Sequence, residues 1–71
     1  MSNKNDNNII GKNIKKYRLK LGLSQEGLAQ KADVKYTTLT KIESNVIKKP
    51  SVFIMAKIAK TLGVSIEELI K

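Results

Sequence analysis

A chain of 71 residues with a formal net charge of +8 and a pI near 9.9 is one small domain, whose single core supplies only ~3–5 kcal/mol of net stability. Cysteine and histidine are both absent, which excludes a disulfide framework, a thiolate metal site and a cysteine nucleophile, and removes the usual zinc sites and the commonest general base. The six carboxylates form no recognisable pair, so the chain reads as a non-enzyme with no cofactor and no metal.

Met1 to Asn8 is polar and without apolar periodicity. It reads as a mobile tail, residues 1–8, that ends in an asparagine helix cap, with Lys4 free to reach outward. Residues 9–71 then form the domain. Ile10, Ile14, Tyr17 and Leu21 follow helical spacing and predict a first helix with one core-facing stripe. Leu19 falls on the opposite side, and Lys12, Lys15, Lys16 and Lys20 coat the outer faces. Gly22 ends the helix as a left-handed cap.

Ser24 is a good N-cap for a second helix, and Glu26 complements the dipole of its first turn. Gln25, at the first helical position, is placed to lay its amide against a phosphate beside free backbone N–H groups. Nothing in the sequence accounts for Gly27, which costs a helix roughly 1 kcal/mol relative to alanine. Leu28, Ala32, Val34, Leu39 and Ile42 give two helical runs whose phase breaks once, at Asp33-Val34. The pattern is helix, turn, helix, with Ala29 small where the two helices meet. The second of these helices turns Lys35, Tyr36, Thr37, Thr38, Thr40 and Lys41 outward, a hydroxyl-rich cationic face without an acid.

Asn45 to Lys49 is a polar and basic connection, after which Pro50 halts any continuing helix and Ser51 caps a new one. Val52, Met55, Ile58, Ala59 and Leu62 form its core stripe, leaving Phe53 and Ile54 to one side. Gly63 closes that helix. Ser65 and Glu68 are spaced as a reciprocal capping box for a short last helix in which Leu69 docks on the core. Phe53, Ile54, Ile66 and Ile70 are surplus apolar surface and candidate dimer contacts.

The positive charge points to a polyanion, most often nucleic acid. No apolar run is long enough to span a bilayer and the N-terminus lacks a signal peptide's apolar core, so neither a membrane nor export is expected and the chain reads as cytoplasmic. Tyr17, Tyr36 and Phe53 are the only aromatics. Single-strand binders usually need more stacking platforms than that, so duplex DNA is the favoured partner.

The segments IGKNIKKYR, GLSQEGLAQKADV, LTKIES, PSVFIMAKIAKTLGV and IEELI, in that order, resemble the Cro-like or XRE helix-turn-helix DNA-binding proteins of phage and bacterial repressors. The resemblance implies an all-α, compact five-helix bundle of the lambda-repressor-like type, with the helix-turn-helix formed by helices 2 and 3 and helix 3 lying in the major groove. By the same resemblance Tyr36, Thr37 and Lys41 face base edges, Gln25 and Asn45 contact phosphate, and Lys35 and Thr38 lie near the DNA backbone. Thr40 and the Lys48-Lys49 pair are further candidates for phosphate. Arg18 and Glu43 match an ion pair between helices 1 and 3. Two substitutions depart from the family pattern: Asp33 stands where glycine is usual in a left-handed turn, and Lys35 replaces a serine or threonine cap. A connection one residue longer than usual precedes Pro50.

The function these features imply is a sequence-specific duplex-DNA-binding transcriptional regulator, a repressor or operon controller, acting as a homodimer on an inverted repeat. The alternative is a protein-interaction module of the same fold, binding a partner as an antitoxin does. No small-molecule ligand is expected.

Overall fold

A computed structural model describes residues 9–71; the expected tail, its asparagine cap and Lys4 lie outside them. Five helices follow in order: α1 (Ile9–Lys20), α2 (Gln25–Ala32), α3 (Tyr36–Glu43), α4 (Val52–Leu62) and α5 (Ile66–Ile70). No strand occurs among the described residues. The architecture is the all-α five-helix bundle expected. Its centre is made by Ile14, Leu28, Leu39, Ile42, Ile58 and Leu69, all essentially inaccessible to solvent, so every helix commits at least one large aliphatic side chain to a common core. α1 packs on α3 and α5, while α2 packs on α3 and α4. Ala29 is nearly fully buried on α2, the helix that packs on α3.

One local device ends the first four helices. A residue in the left-handed region follows each helix (Gly22, Asp33, Asn45, Gly63), with φ of 71°, 59°, 69° and 74°. The next residue's N–H closes back on the final turn: Leu23 to Arg18, Val34 to Ala29, Val46 to Lys41 and Val64 to Ala59, at 2.8–3.0 Å. Orphan carbonyls are thereby satisfied. The following residue is apolar every time, and Leu23, Val34 and Val64 turn it to use by packing on the core. Val46 does not, and stays exposed. Asp33 and Asn45 take this conformation because a short polar side chain tolerates it better than other non-glycine residues.

Starts are set by hydroxyls. Ser24, Ser51 and Ser65 accept from the backbone N–H of Gly27, Ile54 and Glu68 respectively. Gly27 now has a reason. A β-carbon there would stand 3.2 Å from the Ser24 hydroxyl, crowding the cap it is bonded to. Lys35 gives α3 no side-chain cap.

Three expectations need correction. Leu21 is not part of the core stripe: α1 ends at Lys20 and Leu21 is 53% exposed, while Leu23, beyond the left-handed glycine, packs on the core instead. Val52 is 60% exposed rather than buried, because it is the first residue of α4 and the stripe meets the core only from Met55 onward. The Ser65–Glu68 box is half made. Glu68 directs its carboxylate to α1, where the Tyr17 hydroxyl donates to Oε1 at 3.1 Å. That bond holds the Tyr17 phenol above its ordinary value of 10.0, with burial and the Glu68 charge adding to it. Asn13 Nδ2 donates to the Leu69 carbonyl at 2.9 Å, so α5 is tied to α1 by two polar contacts as well as by Leu69.

Candidate nucleic-acid interface

The site is organised by one buried ion pair. Arg18 near the end of α1 and Glu43 at the end of α3 face each other across the bundle, with side-chain exposures of 8% and 4%. Arg18 Nε donates to Glu43 Oε2 at 2.8 Å and Nη2 donates to Oε1 at 3.0 Å, a two-pronged contact that fixes orientation as well as distance. The remaining fork of the guanidinium is not idle. Nη1 donates to the Leu23 carbonyl at 2.8 Å, so the pair is satisfied on the side facing the α1–α2 link. Two charges buried this well are costly to leave single, and α3 is held at one angle to α1 as a result.

Gln25 joins this cluster. Its Nε2 donates to Glu43 Oε1 at 3.0 Å, a contact that spacing in the sequence did not suggest. Because a carboxylate only accepts, the amide nitrogen and not the oxygen must face Glu43. One carboxylate therefore ties together α1, α2 and α3.

Held in this frame, α3 turns Tyr36, Thr37 and Lys41 to solvent. None of the three donates a side-chain hydrogen bond to another described residue, so their donors are open for a partner. Thr38 is half-buried and lines a shallow depression with Lys35, Val34, Ile54 and Lys57. Thr40 is half-buried, and its hydroxyl donates to the Thr37 carbonyl at 2.9 Å. A phosphate oxygen accepts only, so Thr40 has no free proton to give it while that bond stands. Asn45 is half-buried and carries the left-handed turn after α3, and Lys48 lies exposed in the connection beyond it.

Lys57 of α4 was missed. It donates to the Asp33 carbonyl at 3.2 Å and stands 3.8 Å from the Asp33 carboxylate, bracing the turn between α2 and α3. With the two residues 24 apart in sequence, no local spacing could have paired them. The four candidate dimer residues differ in what they offer. Phe53 is 77% exposed and Ile70 is also exposed, whereas Ile54 and Ile66 are half-buried and packed against the core.

Among the described residues no group of three His, Cys, Asp or Glu side chains is placed to hold a metal ion, and no helix is long and apolar enough to cross a membrane. Two short helices meeting across a left-handed turn, the second with an open polar face and both clamped to a five-helix frame, define a helix-turn-helix domain. The helix-turn-helix family model matches residues 14–69, and the chain belongs to that family, in its Cro-like, XRE form.

Its relatives include the HTH-type transcriptional regulator SinR of Bacillus subtilis (strain 168) and that of Bacillus licheniformis, each 39% identical over 62 residues, or 87% of this chain. The chain spans 56% of the length of each of these relatives. Among solved structures it is similar to the N-terminal DNA-binding domain of SinR from Bacillus subtilis, with a TM-score of 0.88 and 38% identity, covering 90% of this chain and 93% of that one. A crystal structure of SinR, the master regulator for biofilm formation, in complex with DNA matches with a TM-score of 0.85 and 39% identity over 87% of this chain and 98% of that one. SinR in its complex with the SinI protein gives the same score and identity over 87% of this chain and 60% of that one. These relatives are regulators rather than enzymes, in keeping with a sequence that offers no catalytic set.

Proposed function

We propose that this chain is a sequence-specific duplex-DNA-binding transcriptional regulator, with residues 9–71 as the DNA-binding domain and residues 1–8 as a polar tail. The observation that carries the reading is the α3 face. Tyr36, Thr37 and Lys41 stand exposed on a helix whose angle is set by a buried ion pair, and a SinR structure of the same fold is bound to DNA. In this reading α3 enters the major groove, where Lys41 donates to guanine and the threonine methyls pack on thymine methyls. Gln25, Lys35, Thr38, Asn45 and Lys48 hold the backbone and set the register. None of the reading residues is an asparagine, glutamine or arginine able to make a planar two-pronged base contact. Part of the selectivity then falls to DNA shape and to pairing of two copies on an inverted repeat, with half-sites ~34 Å apart. Phe53 and Ile70, with the half-buried Ile54 and Ile66, supply the apolar contact between copies, and repression or operon control in the cytoplasm is the role that follows.

A second reading has its own observation. Phe53 is a large aromatic left 77% exposed, and SinR forms a complex with another protein, so a protein partner docking on this fold is the alternative. A salt titration on operator-like and random duplexes separates the two. DNA binding predicts sub-micromolar affinity at low salt that falls steeply as salt rises. No duplex bound below micromolar concentration at low salt leaves only the protein-interaction reading.

A further inference from the structure

We propose that the outer face of α1 is a docking surface for an acidic segment of another protein, an amphipathic helix whose carboxylates flank an apolar side chain. This surface is separate from the α3 face and does not depend on the duplex-binding reading. It centres on one residue. Leu19 is 57% exposed, and on a helix its side chain leans toward the N-terminus, over the residues three and four positions before it. Those residues are Lys16 and Lys15, with Lys12 a turn further back and Lys20 alongside, all exposed. At 3.6 residues per turn the five occupy an arc of about 140°.

The charge of this arc is left uncompensated. None of the four lysines pairs with a carboxylate of the described residues, and Lys16 and Lys20 lie over the Tyr17 ring instead, 5.2 and 5.5 Å from its centroid. α1 itself contains no acid. Glu43 is engaged by Arg18, Asp33 stands near Lys57, and Glu68 meets Tyr17 and Lys71. The arc also points away from the candidate DNA face. α1 turns Ile14 and Arg18 inward and packs on α3, which turns Leu39 and Ile42 inward. Helices packed by their inner sides present their outer sides in divergent directions, so a duplex held on Tyr36, Thr37 and Lys41 leaves the α1 arc open.

Charge and shape together choose the occupant. A second copy of this chain brings a net charge of +8 to a cationic face, and like charges oppose that contact. A phosphate backbone satisfies the lysines but gives an exposed leucine no partner. A lipid surface needs a broad apolar face, whereas Ile10, Ile14 and Tyr17 of α1 are turned to the core. An acidic helix with a leucine at its centre meets both demands: its carboxylates reach the ammonium groups, and its leucine lies on Leu19 and the lysine stems. Two turns of helix make a small contact, suited to a transient encounter.

The test uses NMR on the full chain, titrated with a synthetic helical peptide that carries one central leucine flanked by glutamates at three- and four-residue spacing. Matched peptides carry glutamine for glutamate, or serine for leucine. A short duplex, and vesicles of phosphatidylglycerol with phosphatidylcholine, are titrated in parallel. The acidic peptide should shift Lys12, Lys15, Lys16, Leu19 and Lys20, leave Tyr36, Thr37 and Lys41 unmoved, and bind with a Kd of roughly tens to hundreds of micromolar at low salt. Both matched peptides should bind more weakly. Leu19→Ser should weaken the acidic peptide about fivefold with duplex affinity unchanged, and Lys12→Gln with Lys15→Gln should weaken it by about the same factor. These positions are exposed, so thermal midpoints should stay within a few degrees. Peptide shifts on α3 make the peptide a mere polyanion at the candidate DNA face and overturn the proposal. Undiminished binding by Leu19→Ser reduces the attraction to charge alone and overturns it as well. Shifts of the α1 residues by the duplex or by the vesicles assign the face to nucleic acid or to lipid, and no peptide binding at millimolar concentration leaves it a solvated surface; each of these also overturns it. A chain that binds the peptide on α1 but binds no duplex upholds the docking face while the DNA-binding reading fails.

Discussion

Replacing Arg18 by methionine is the perturbation whose cost the structure fixes best. The substitution keeps most of the side chain's length and packing, and removes three hydrogen bonds: two to Glu43 and one to the Leu23 carbonyl. Glu43, 4% exposed at its side chain, is left with the Gln25 amide as its only donor among the described residues. Removing one partner of a buried pair costs about 3–5 kcal/mol. A domain whose single core supplies only ~3–5 kcal/mol of net stability is brought close to unfolding at room temperature by Arg18→Met. With a domain this size losing several degrees per kcal/mol, the midpoint should drop by roughly 15–30 °C.

Circular dichroism through thermal and urea unfolding reads this directly. The companion double variant, Arg18→Met with Glu43→Leu, removes both charges and should recover most of the loss, since a buried pair is often no more stable than apolar residues of similar volume. Recovery of stability is not recovery of binding. Gln25 has no acceptor in the double variant, so duplex affinity should stay below that of the unaltered chain. A single variant melting within a few degrees of the unaltered chain, or a double variant as unstable as the single, would refute the reasoning.

Three further outcomes are expected. Ser24→Ala should cost about 1 kcal/mol as a lost N-cap, while Gly27→Ala should gain less than the ~1 kcal/mol that helix propensity promises, because its β-carbon crowds the Ser24 hydroxyl at 3.2 Å; adding Gly27→Ala to Ser24→Ala should gain more than adding it to the unaltered chain, and strict additivity in urea midpoints would contradict this. Asp33→Gly should raise stability by about 0.5 kcal/mol and Asp33→Ala should lower it by about 1 kcal/mol, since residue 33 sits at φ 59° and its exposed contact with Lys57 adds little; equal midpoints would remove strain at this turn from the account. Glu68→Ala, which removes the acceptor as well as the charge, should lower the Tyr17 phenol toward its ordinary value, read by ultraviolet titration, because the Glu68 hydrogen bond is the main cause of its upward shift. The sign follows: the contact favours neutral tyrosine, so its stabilisation is complete below pH 10.0 and is lost as pH rises through the higher folded-state value.

Much of this architecture was legible in the residues because its determinants are local. Serines at 24, 51 and 65 start helices, and a left-handed residue followed by an apolar one ends four of them. Such signals act within one turn of the chain. The errors came where periodicity was carried past a helix end. Leu21 continues the α1 wheel on paper, but the helix has stopped at Lys20, and the left-handed Gly22 passes the apolar role to Leu23. Val52 extends the α4 stripe back to the first residue of the helix, which stays exposed. Glu68 had a plausible local partner in Ser65 and a distant one in Tyr17, 51 positions away, and only the packing of α5 on α1 decides between them.

The interface was legible by residue type rather than by connection. An acid-free α3 face could be read directly, and the Arg18–Glu43 match came with the family resemblance. That Gln25 shares Glu43 with Arg18 and that Lys57 meets Asp33 depend on where separate helices cross. Neither contact leaves a trace in spacing.

The most direct measurement is selection of bound sequences from a random duplex pool, run in parallel on the unaltered chain and on Lys41→Ala. The account predicts enrichment of a short element that recurs as an inverted pair about one helical turn apart, with Lys41→Ala relaxing preference at one position of each half while leaving the others. A pool that stays unenriched, or one whose preferences are the same for both proteins, would contradict the assignment of α3 as the reading helix.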